Sequence, residues 1–333
     1  MDVMSPHVTV IVPARNEERF LERCVRGLLN GFPRDRVELF VVDGDSDDGT
    51  RAVAERLAAE LPSVRVLDNP ARLQAPGFNA AMREADPRSR YLIRCDAHAD
   101  YPPGFLAHTV EVAERTGAEL VAFSDDVRSE GCFQAAVAFA QSTPVGVGDA
   151  RYRLGGHTGW VDHGKHGCFR RAAVEAAGGY DESFSHNEDS ELSLRLRRDG
   201  GRVWLDEEVV VGYHPRASPS ALARQYWYYG RGRAATCLKH RIAPQPRQLA
   251  PPALTLWHAA LLVGATRRRS LLAFPAAYLA ALAAIGATGA ARKRTPCLLL
   301  TPVALATMHH AWGAGFLDGV VSRFVGFRRG GGL

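Results

Sequence analysis

The N-terminal part of the chain alternates short apolar runs with amphipathic stretches. The stretches at residues 17–30 and 50–61 carry apolar side chains at i, i+3 and i+4 spacing, which is typical of helices that pack on one face. Five runs have the length and composition of strands: residues 8–12, 37–42, 64–67, 91–95 and 120–123. This order predicts βαβ units, and therefore an α/β, Rossmann-like fold with a mostly parallel sheet.

Polar loops follow three of these predicted strands. Pro13 to Glu17 follows the first strand, Asp43 to Thr50 the second, and Asp96 to His98 the fourth. Ligands of open α/β sheets bind beyond the carboxyl ends of the strands, where helix N-termini offer free N–H groups. Each loop alone is also explained as a turn or a helix cap, because Asp, Asn and Gly favour both. Together the three loops favour one shared ligand site.

The composition changes after Pro215. Residues 222–239 mix tyrosine and tryptophan with arginine and glycine, a composition typical of an amphipathic segment in a membrane interface. The chain is therefore predicted to have four regions: an α/β domain over 1–215, an interfacial segment over 216–248, membrane-associated helices over 249–321 and a basic tail over 322–333.

Three apolar runs fill the predicted membrane region: residues 253–266, 270–291 and 296–320. Basic triplets separate them, and the middle run carries no charge and is long enough to cross a bilayer. An interfacial first run followed by two crossing helices agrees best with the positive-inside rule. It leaves the basic triplet Arg267 to Arg269 and the basic C-terminal tail in the cytosol. The alternative is a pair of buried helices inside a soluble domain.

Charge and cysteine content narrow the chemistry and the compartment. Lysine and arginine total 41 against 36 aspartate and glutamate, a net charge of +5, and all but three of the basic residues are arginine. The planar guanidinium fork suits phosphate oxygens. The six cysteines form no C-x-x-C pair, which argues against a zinc knot and a secreted disulfide framework and favours a reduced, cytosol-facing compartment. Met1 to Pro6 shows no basic patch before an apolar run, so no cleaved signal peptide is expected.

Two short motifs carry candidate chemistry. Asp96 and His98 are two residues apart, so in an extended stretch both side chains point the same way and can share one divalent cation with phosphate oxygens. Asp189 lies in an acidic cluster just before Leu192, where a helix N-terminus keeps a carboxylate ionised, as a general base requires. Turn and helix capping explain Asp96 and Asp189 equally well at this point.

Other polar residues leave their role open. Gly167 to Arg171 can supply backbone groups and, through Arg170, a phosphate-facing cation, although arginines that open a helix often only face solvent. His157, His163 and His166 are close in the sequence, but their spacing matches no standard zinc pattern. We interpret them as loop residues, some of them lining an acceptor groove.

Taken in order, these motifs resemble those of the family 2 glycosyltransferases with the GT-A fold. They are most similar to the membrane-associated glucosyltransferases of succinoglycan-type exopolysaccharide synthesis. The resemblance covers about residues 7–235 and rests on six motifs: VTVIVPARNEE at 8–18, VVDGDSDDGT at 41–50, DAHADYP at 96–102, GCFRR at 167–171, NED at 187–189 and QYWYYGRGR at 225–233.

The resemblance implies an inverting glycosyltransferase that uses a nucleotide diphosphate sugar such as UDP-glucose. Asp189 would be the catalytic base, and Asp96 with His98 would stand in the D-x-D position that binds Mg²⁺ or Mn²⁺. The donor would be bound by Pro13, Ala14, Arg15, Glu17, Asp43, Gly44, Asp45, Arg72, Asn79 and Asp96. The acceptor and diphosphate side would include Glu188, Arg170, Gln225, Arg231 and Arg233.

Three of the motifs depart from the family pattern. Gly44 replaces the second of two adjacent acids. A contact of that acid with the uracil ring of the donor is therefore in doubt. His98 replaces the last carboxylate of D-x-D, and imidazole is a softer ligand, which leaves Mn²⁺ at least as plausible as Mg²⁺. Tyr228 and Tyr229 stand where processive synthases have the last residues of Q-x-x-R-W, so single addition is favoured over polymerisation.

The resemblance also implies partners and a place in the cell. The expected partners are the nucleotide sugar, a lipid-linked or glycan acceptor and the membrane, and no nucleic acid. The expected place is the inner or plasma membrane, with the catalytic domain cytoplasmic. Two alternatives stay open. A polyprenyl-phosphate glycosyltransferase would use an acceptor that is already ionised, and a decayed sugar-nucleotide-binding membrane protein would explain Gly44 and His98.

Overall fold

The computed structural model of the protein describes residues 7–148 and 157–329, with side chains to residue 323. Within these residues the chain forms two compact units. The first takes residues up to 126 and residues 157–213, and the second takes residues 127–148 and 214–329. The sequence places one boundary near residue 215, whereas the structure adds residues 127–148 to the C-terminal unit. The reason is that a helix in this segment buries Val137 and Ala140 among the C-terminal helices.

The first unit is built on eight strands. Their bounds are β1 Val8–Ala14, β2 Val37–Asp43, β3 Val64–Asp68, β4 Tyr91–Arg94, β5 Leu120–Val127, β6 Gly159–Val161, β7 Gly167–Arg170 and β8 Val203–Tyr213. All five strands that the sequence predicts are confirmed, with ends that differ by a few residues. Short β6 and β7 and the long β8 were not predicted.

The strands form one mixed sheet in the order β3-β2-β1-β4-β7-β5-β8-β6. β1 pairs in parallel with β2 and β4, and β2 pairs in parallel with β3. β7 inserts between β4 and β5 and runs antiparallel to both. The carboxyl ends of β1, β2 and β4 therefore meet at one edge, where the sequence predicted the ligand site.

Helices flank this sheet. They are α1 Leu21–Leu28, α2 Thr50–Glu60, α3 Gln74–Glu84, α4 Phe105–Thr116, α7 Arg171–Ala176 and α8 Glu188–Arg198. α1 and α2 confirm the two amphipathic stretches of the sequence. Their apolar faces pack on β1, β2 and β4 in a core that includes Leu21, Leu57 and the fully buried Tyr91. This core fixes the strand ends that carry the polar loops.

The second unit is helical. It contains α5 Cys132–Gln141, α6 Pro144–Val147, α9 Pro219–His240, α10 Pro246–Ala265, α11 Ala273–Lys293 and α12 Thr301–Arg329, with 3₁₀ turns at Arg269–Leu272 and Pro296–Leu300. α9 packs along α12, and Leu222 and Tyr226 are buried against Leu305 and Met308. Cys132 and Cys297 form a disulfide that ties α5 to the turn before α12. The sequence argued against a disulfide framework, and the structure has this one pair, while Cys24, Cys95, Cys168 and Cys237 are free and buried.

The C-terminal helices expose large apolar side chains. The exposed residues include Leu249, Leu256, Trp257, Leu262, Val263, Phe274, Leu279, Leu299 and Val303. Among the described residues, one helix, Arg269–Lys293, is long and apolar enough to cross a membrane, with a mean hydropathy of 1.8 and 11% of its apolar window buried. Contiguous exposed apolar surface of this kind marks a protein or membrane contact. The second run expected to cross, 296–320, lies in the turn before α12 and in α12. Within its described residues, α12 is not apolar enough over a membrane-spanning length.

Candidate functional site

A cavity of about 210 Å³ opens at the carboxyl ends of β1, β2 and β4. It is lined by Pro13, Ala14, Arg15, Glu17, Val42, Gly44, Asn69, Arg72, Leu73, Gln74, Asp96, Ala97 and His98. Eight of the residues assigned from the sequence to the donor or the metal are in this lining. The structure thus brings together the three polar loops that the sequence placed after separate strands.

The loops after β1 and β2 hold one another in place. Asn16, with φ of 59°, donates its backbone N–H to Ser46 Oγ over 3.1 Å, and Ser46 donates to Asp43 Oδ1 over 2.6 Å. Asp43 is 6% exposed and lies beneath the cavity lining rather than in it. A Cβ at Gly44 would lie 3.2 Å from Arg15 Cβ. Glycine at this position therefore allows the two loops to approach closely, which accounts for the missing second acid.

Arg72 reaches over the cavity from the loop before α3. Its backbone is left-handed, with φ of 60°, and its Nε donates to Asp45 Oδ2 over 3.0 Å. Both side chains are about half exposed. An exposed ion pair of this kind is weak, so the guanidinium can exchange Asp45 for an incoming anion at little cost.

Asn79 does not lie in the cavity. It is 5% exposed, and its amide donates to the Tyr180 carbonyl over 2.8 Å and to Glu182 Oε1 over 2.9 Å, while its Oδ1 accepts the Tyr180 N–H over 2.8 Å. Every hydrogen-bonding group of this amide is therefore engaged in holding the loop before α8. Its expected contact with the donor is not supported by this position.

Asp96 lies at the inner end of the cavity. Its backbone N–H donates to the Tyr101 hydroxyl over 2.8 Å, and its Oδ2 lies 3.5 Å from Nδ1 of His166. Its other carboxylate oxygen, Oδ1, is buried and has no hydrogen-bond partner in the described part of the chain. Burial opposes its ionisation, but His166 and Arg94 outweigh that effect, and the pKa of Asp96 lies well below its usual range. Asp96 is therefore a carboxylate at neutral pH.

These residues fit a divalent cation. A buried, ionised carboxylate oxygen without a partner is costly and is the kind of group that a bound ion satisfies. Imidazole and carboxylate ligands together suit Mn²⁺, which accepts both nitrogen and oxygen. His98, the second ligand expected from the sequence, instead places Nδ1 2.9 Å from Glu17 Oε1 and is about half exposed.

Asp189 is the second residue of α8, as the sequence predicts for a carboxylate at a helix N-terminus. Its Oδ1 accepts from Arg94 Nη1 over 2.6 Å and from the Tyr180 hydroxyl over 2.6 Å. Arg94 is 3% exposed and also donates to Gln74 in the cavity lining. Because Arg94 and Asp96 are two residues apart at the end of β4, their Cα atoms are at most roughly 7 Å apart. One buried arginine thus lies between the cavity and Asp189.

Glu188 is held next to Asp189. Its Oε1 lies 3.3 Å from Arg94 Nη1, and the residue is 8% exposed. Burial, and then repulsion by Asp189, raise the pKa of Glu188 to about 7, although Arg94 opposes the shift. Two acidic groups therefore share one cation, the guanidinium of Arg94.

Arg170, another acceptor-side assignment, lies at the far end of β4 from the cavity. Arg170 is paired in register with Tyr91, the first residue of β4, and its guanidinium lies 5.7 Å from that ring centroid. Asp96 follows the opposite end of β4, roughly 16 Å away along the strand. The phosphate-facing role expected for Arg170 is therefore corrected. Gln225, Arg231 and Arg233 lie on α9 of the second unit.

The α9 residues have partners within their own unit. Gln225 donates to the Tyr229 hydroxyl over 3.0 Å, and Arg231 Nε lies 3.5 Å from Asp318. The Arg231 guanidinium also lies 5.2 Å from the ring centroid of Trp227. The first and last of these contacts lie within α9, whereas the ion pair between Arg231 and Asp318 joins α9 to α12.

Arg94 and Tyr180 were not singled out from the sequence, and His166 was expected only as one of three loop histidines, some of them lining an acceptor groove. Arg94 could have been found, because it precedes Asp96 by two residues in a strand and so shares its face. Tyr180 precedes its partner Asp189 by only 9 residues, but their spacing alone does not indicate the contact. His166 is distant in sequence from Asp96, and the insertion of β7 into the sheet brings the two together.

Solved structures share this architecture. The mannosyltransferase PcManGT from Pyrobaculum calidifontis, in complex with GDP-Man and Mn²⁺, aligns over 96% of this chain and 89% of its own, with a TM-score of 0.64 at 23% identity. The S. aureus protein TarS 1-349 in complex with UDP aligns over 97% and 92%, with a TM-score of 0.50 at 15% identity. These likenesses show that the chain has the GT-A fold.

The sequence comparisons agree. Glycosyl transferase family 2 matches residues 9–178, and the succinoglycan biosynthesis protein ExoA of Rhizobium meliloti is 39% identical over 315 residues, 95% of both chains. A dolichyl N-acetyl-alpha-D-glucosaminyl phosphate 3-beta-D-2,3-diacetamido-2,3-dideoxy-beta-D-glucuronosyltransferase of Methanococcus voltae is 24% identical over 67% of this chain and 71% of its own. This chain belongs to glycosyl transferase family 2. The expected family, fold and enzyme class are confirmed.

Proposed function

We propose that this protein transfers a sugar, with inversion, from a nucleoside diphosphate donor to a hydroxyl group of a lipid-linked saccharide during exopolysaccharide synthesis. The observation that carries the proposal is the continuous path from the cavity to Asp189. Gln74 lines the cavity, Arg94 bonds both Gln74 and Asp189, and Asp96 follows Arg94 by two residues. Donor and base would thus lie on the same side of the sheet edge.

The donor would occupy the cavity between the loops after β1, β2 and β4. Pro13, Ala14 and Gly44 would present backbone to the nucleotide, since none carries a long side chain there. Arg15 and Arg72 would offer charge-assisted hydrogen bonds to phosphate oxygens. The relatives named above include proteins solved with GDP-Man or UDP, so a nucleoside diphosphate sugar is the donor class we propose.

A divalent cation would be held by Asp96. Such an ion neutralises charge on a diphosphate as it leaves. The protein's contribution is a carboxylate kept ionised among His166 and Arg94. Mn²⁺ and Mg²⁺ are both compatible with a carboxylate ligand, and the nearby imidazole groups favour Mn²⁺.

Asp189 would act as the general base. It removes the proton from the acceptor hydroxyl, and the oxygen attacks the anomeric carbon from the face opposite the diphosphate. The bond between that carbon and the diphosphate oxygen breaks, and the nucleoside diphosphate leaves. An α-linked donor therefore gives a β-linked product. Arg94 and Tyr180 would orient Asp189 through the two bonds to its Oδ1.

The acceptor would be presented at a membrane surface. The exposed apolar side chains of α10 and α11 and the apolar helix Arg269–Lys293 support this part of the proposal. So does the 39% identity to a succinoglycan biosynthesis protein. The proposed location is the inner or plasma membrane, with the catalytic unit on its cytoplasmic side.

Membranes that contain the full chain test the proposal. They are incubated with radiolabelled UDP- and GDP-sugars and Mn²⁺, and label is followed into the lipid-extractable fraction. We expect label from one donor, dependent on the cation and lost on addition of EDTA. Label transferred to a polyprenyl phosphate with Asp189→Asn still active would instead support the phosphate-acceptor reaction. Absence of transfer from every donor, in membranes with lipid-linked acceptors, would contradict the proposal.

A further inference from the structure

His166 is the buried histidine nearest to Asp96. β7 runs antiparallel to β4 with Ile93 opposite Cys168, so continuing that register places His166 beside the residues that follow β4. The side chain is 6% exposed, and its ring packs against Phe123 with centroids 5.6 Å apart. Packing in the core therefore fixes the orientation of the imidazole.

The pair formed by Asp96 and His166 is incomplete. Asp96 Oδ2 and His166 Nδ1 are 3.5 Å apart, beyond the length of a good hydrogen bond. Asp96 Oδ1 and His166 Nε2 are both buried without a hydrogen-bond partner in the described residues. Two ligand atoms about 2.1 Å from one ion are separated by roughly 3.0–3.5 Å, and this pair has that spacing.

His98 has different surroundings. Its side chain is 49% exposed, and its Nδ1 lies 2.9 Å from Glu17 Oε1. A half-exposed ring is held less rigidly in one orientation than a buried ring that packs against Phe123, so His98 is the less preorganised ligand.

We propose that His166, rather than His98, supplies the imidazole ligand to the divalent cation held by Asp96. The inference rests on the proposed function, which supplies the reason for a cation at this position. The remaining ligand positions would go to diphosphate oxygens and water.

The ligand identity predicts a metal preference. One nitrogen and one carboxylate oxygen favour Mn²⁺ over Mg²⁺, because Mg²⁺ prefers oxygen ligands alone. If His166 served only as an ion-pair partner of Asp96, no nitrogen would bind the ion. The site would then show no preference for Mn²⁺ over Mg²⁺.

Electron spin-echo spectroscopy of bound Mn²⁺ tests the inference on the full chain in detergent, with UDP or GDP present. We expect a nitrogen modulation in the unchanged protein and in the His98→Gln and His163→Gln variants. In His166→Gln we expect the modulation to disappear and the Kd for Mn²⁺ to rise about tenfold or more. A modulation that persists in His166→Gln, or disappears in His98→Gln, would overturn the inference.

A second variant covers the case in which His166→Gln does not fold. His166→Cys replaces nitrogen by a softer sulfur, so the affinity for Cd²⁺ should rise relative to Mn²⁺. An unchanged ratio of the two affinities would overturn the inference. Sugar transfer by the unchanged protein is assayed in parallel. If the unchanged protein transfers sugar but the nitrogen modulation persists in His166→Gln, only the assignment of His166 as a metal ligand is rejected. If the unchanged protein binds Mn²⁺ but transfers no sugar, the proposed function is rejected.

Discussion

Arg94 Nη1 donates to Asp189 Oδ1 across 2.6 Å, from a side chain that is only 3% exposed. The same guanidinium lies 3.3 Å from Glu188 Oε1 and bonds Gln74 in the cavity lining. Removing one partner of a buried ion pair leaves an uncompensated charge, which is much costlier than losing a surface pair. Arg94 therefore links the stability of the sheet edge to the charge state of the proposed base.

Replacing Arg94 tests this link. Arg94→Met should destabilise the protein by about 3–5 kcal/mol and move the acid limb of the pH profile of kcat/KM to higher pH. The reason is that two carboxyl groups then repel each other without a cation. Arg94→Lys should recover part of both losses. Thermal unfolding in detergent and the pH profile are the measurements.

Arg90 is the matched control for Arg94. It comes directly before β4, is about half exposed and pairs with Glu114 at 3.0 Å. Arg90→Met should change stability by about 1 kcal/mol or less and leave the pH profile unchanged. Equal effects of the two substitutions would show that Arg94 has no special relation to Asp189.

Glu188 makes stability depend on pH. Its pKa is raised to about 7 by burial and by Asp189, above the usual 4.5, so the folded state binds more protons than the unfolded state between these values. Stability therefore falls as pH rises through that window. In Glu188→Gln, chemical denaturation should show a smaller fall between about pH 5 and about pH 8. An identical pH dependence in both proteins would contradict the raised pKa.

Arg72 tests the donor side of the cavity. Loss of a charge-assisted hydrogen bond to phosphate costs about 1.5–3 kcal/mol, so Arg72→Gln should raise the KM for the donor roughly ten- to a hundredfold with little change in kcat. Arg51→Gln is the control, because Arg51 pairs with Glu55 at 2.6 Å and lies outside the cavity lining. Steady-state kinetics with varied donor would show no difference between the two variants if Arg72 did not face the phosphates.

The apolar helix Arg269–Lys293 predicts membrane insertion. Ala281 is exposed near its middle, and an arginine there should cost about 2.5–3.5 kcal/mol on insertion. After alkaline extraction, less Ala281→Arg than Ala281→Leu should remain in the membrane fraction. Equal retention of both variants would indicate that this helix packs against protein instead.

Much of the fold could be predicted from the sequence because it depends on local patterns. The period of apolar residues located β1 to β5 and helices α1 and α2, and the strand order placed the polar loops at one edge. The position of Asp189 at a helix N-terminus also followed from its neighbours. These features need no knowledge of contacts between distant residues.

The rest depends on contacts that sequence spacing does not encode. His166 meets Asp96 only because β7 inserts antiparallel beside β4, and Cys132 pairs with Cys297 across a separation of 165 residues. Arg170 was misplaced for the same reason, since the direction of β7 decides which end of β4 it meets. Asn79 was misplaced because its amide is used by Tyr180 and Glu182.

Single-turnover sugar transfer by Asp189→Asn tests the central claim most directly. The control is Asp199→Asn, which changes an exposed aspartate at the other end of the same helix. With saturating donor and acceptor, we predict that Asp189→Asn slows transfer about a hundred- to ten-thousandfold, that nucleoside diphosphate binding is unchanged, and that Asp199→Asn is fully active. Transfer by Asp189→Asn at the rate of the control would contradict the account.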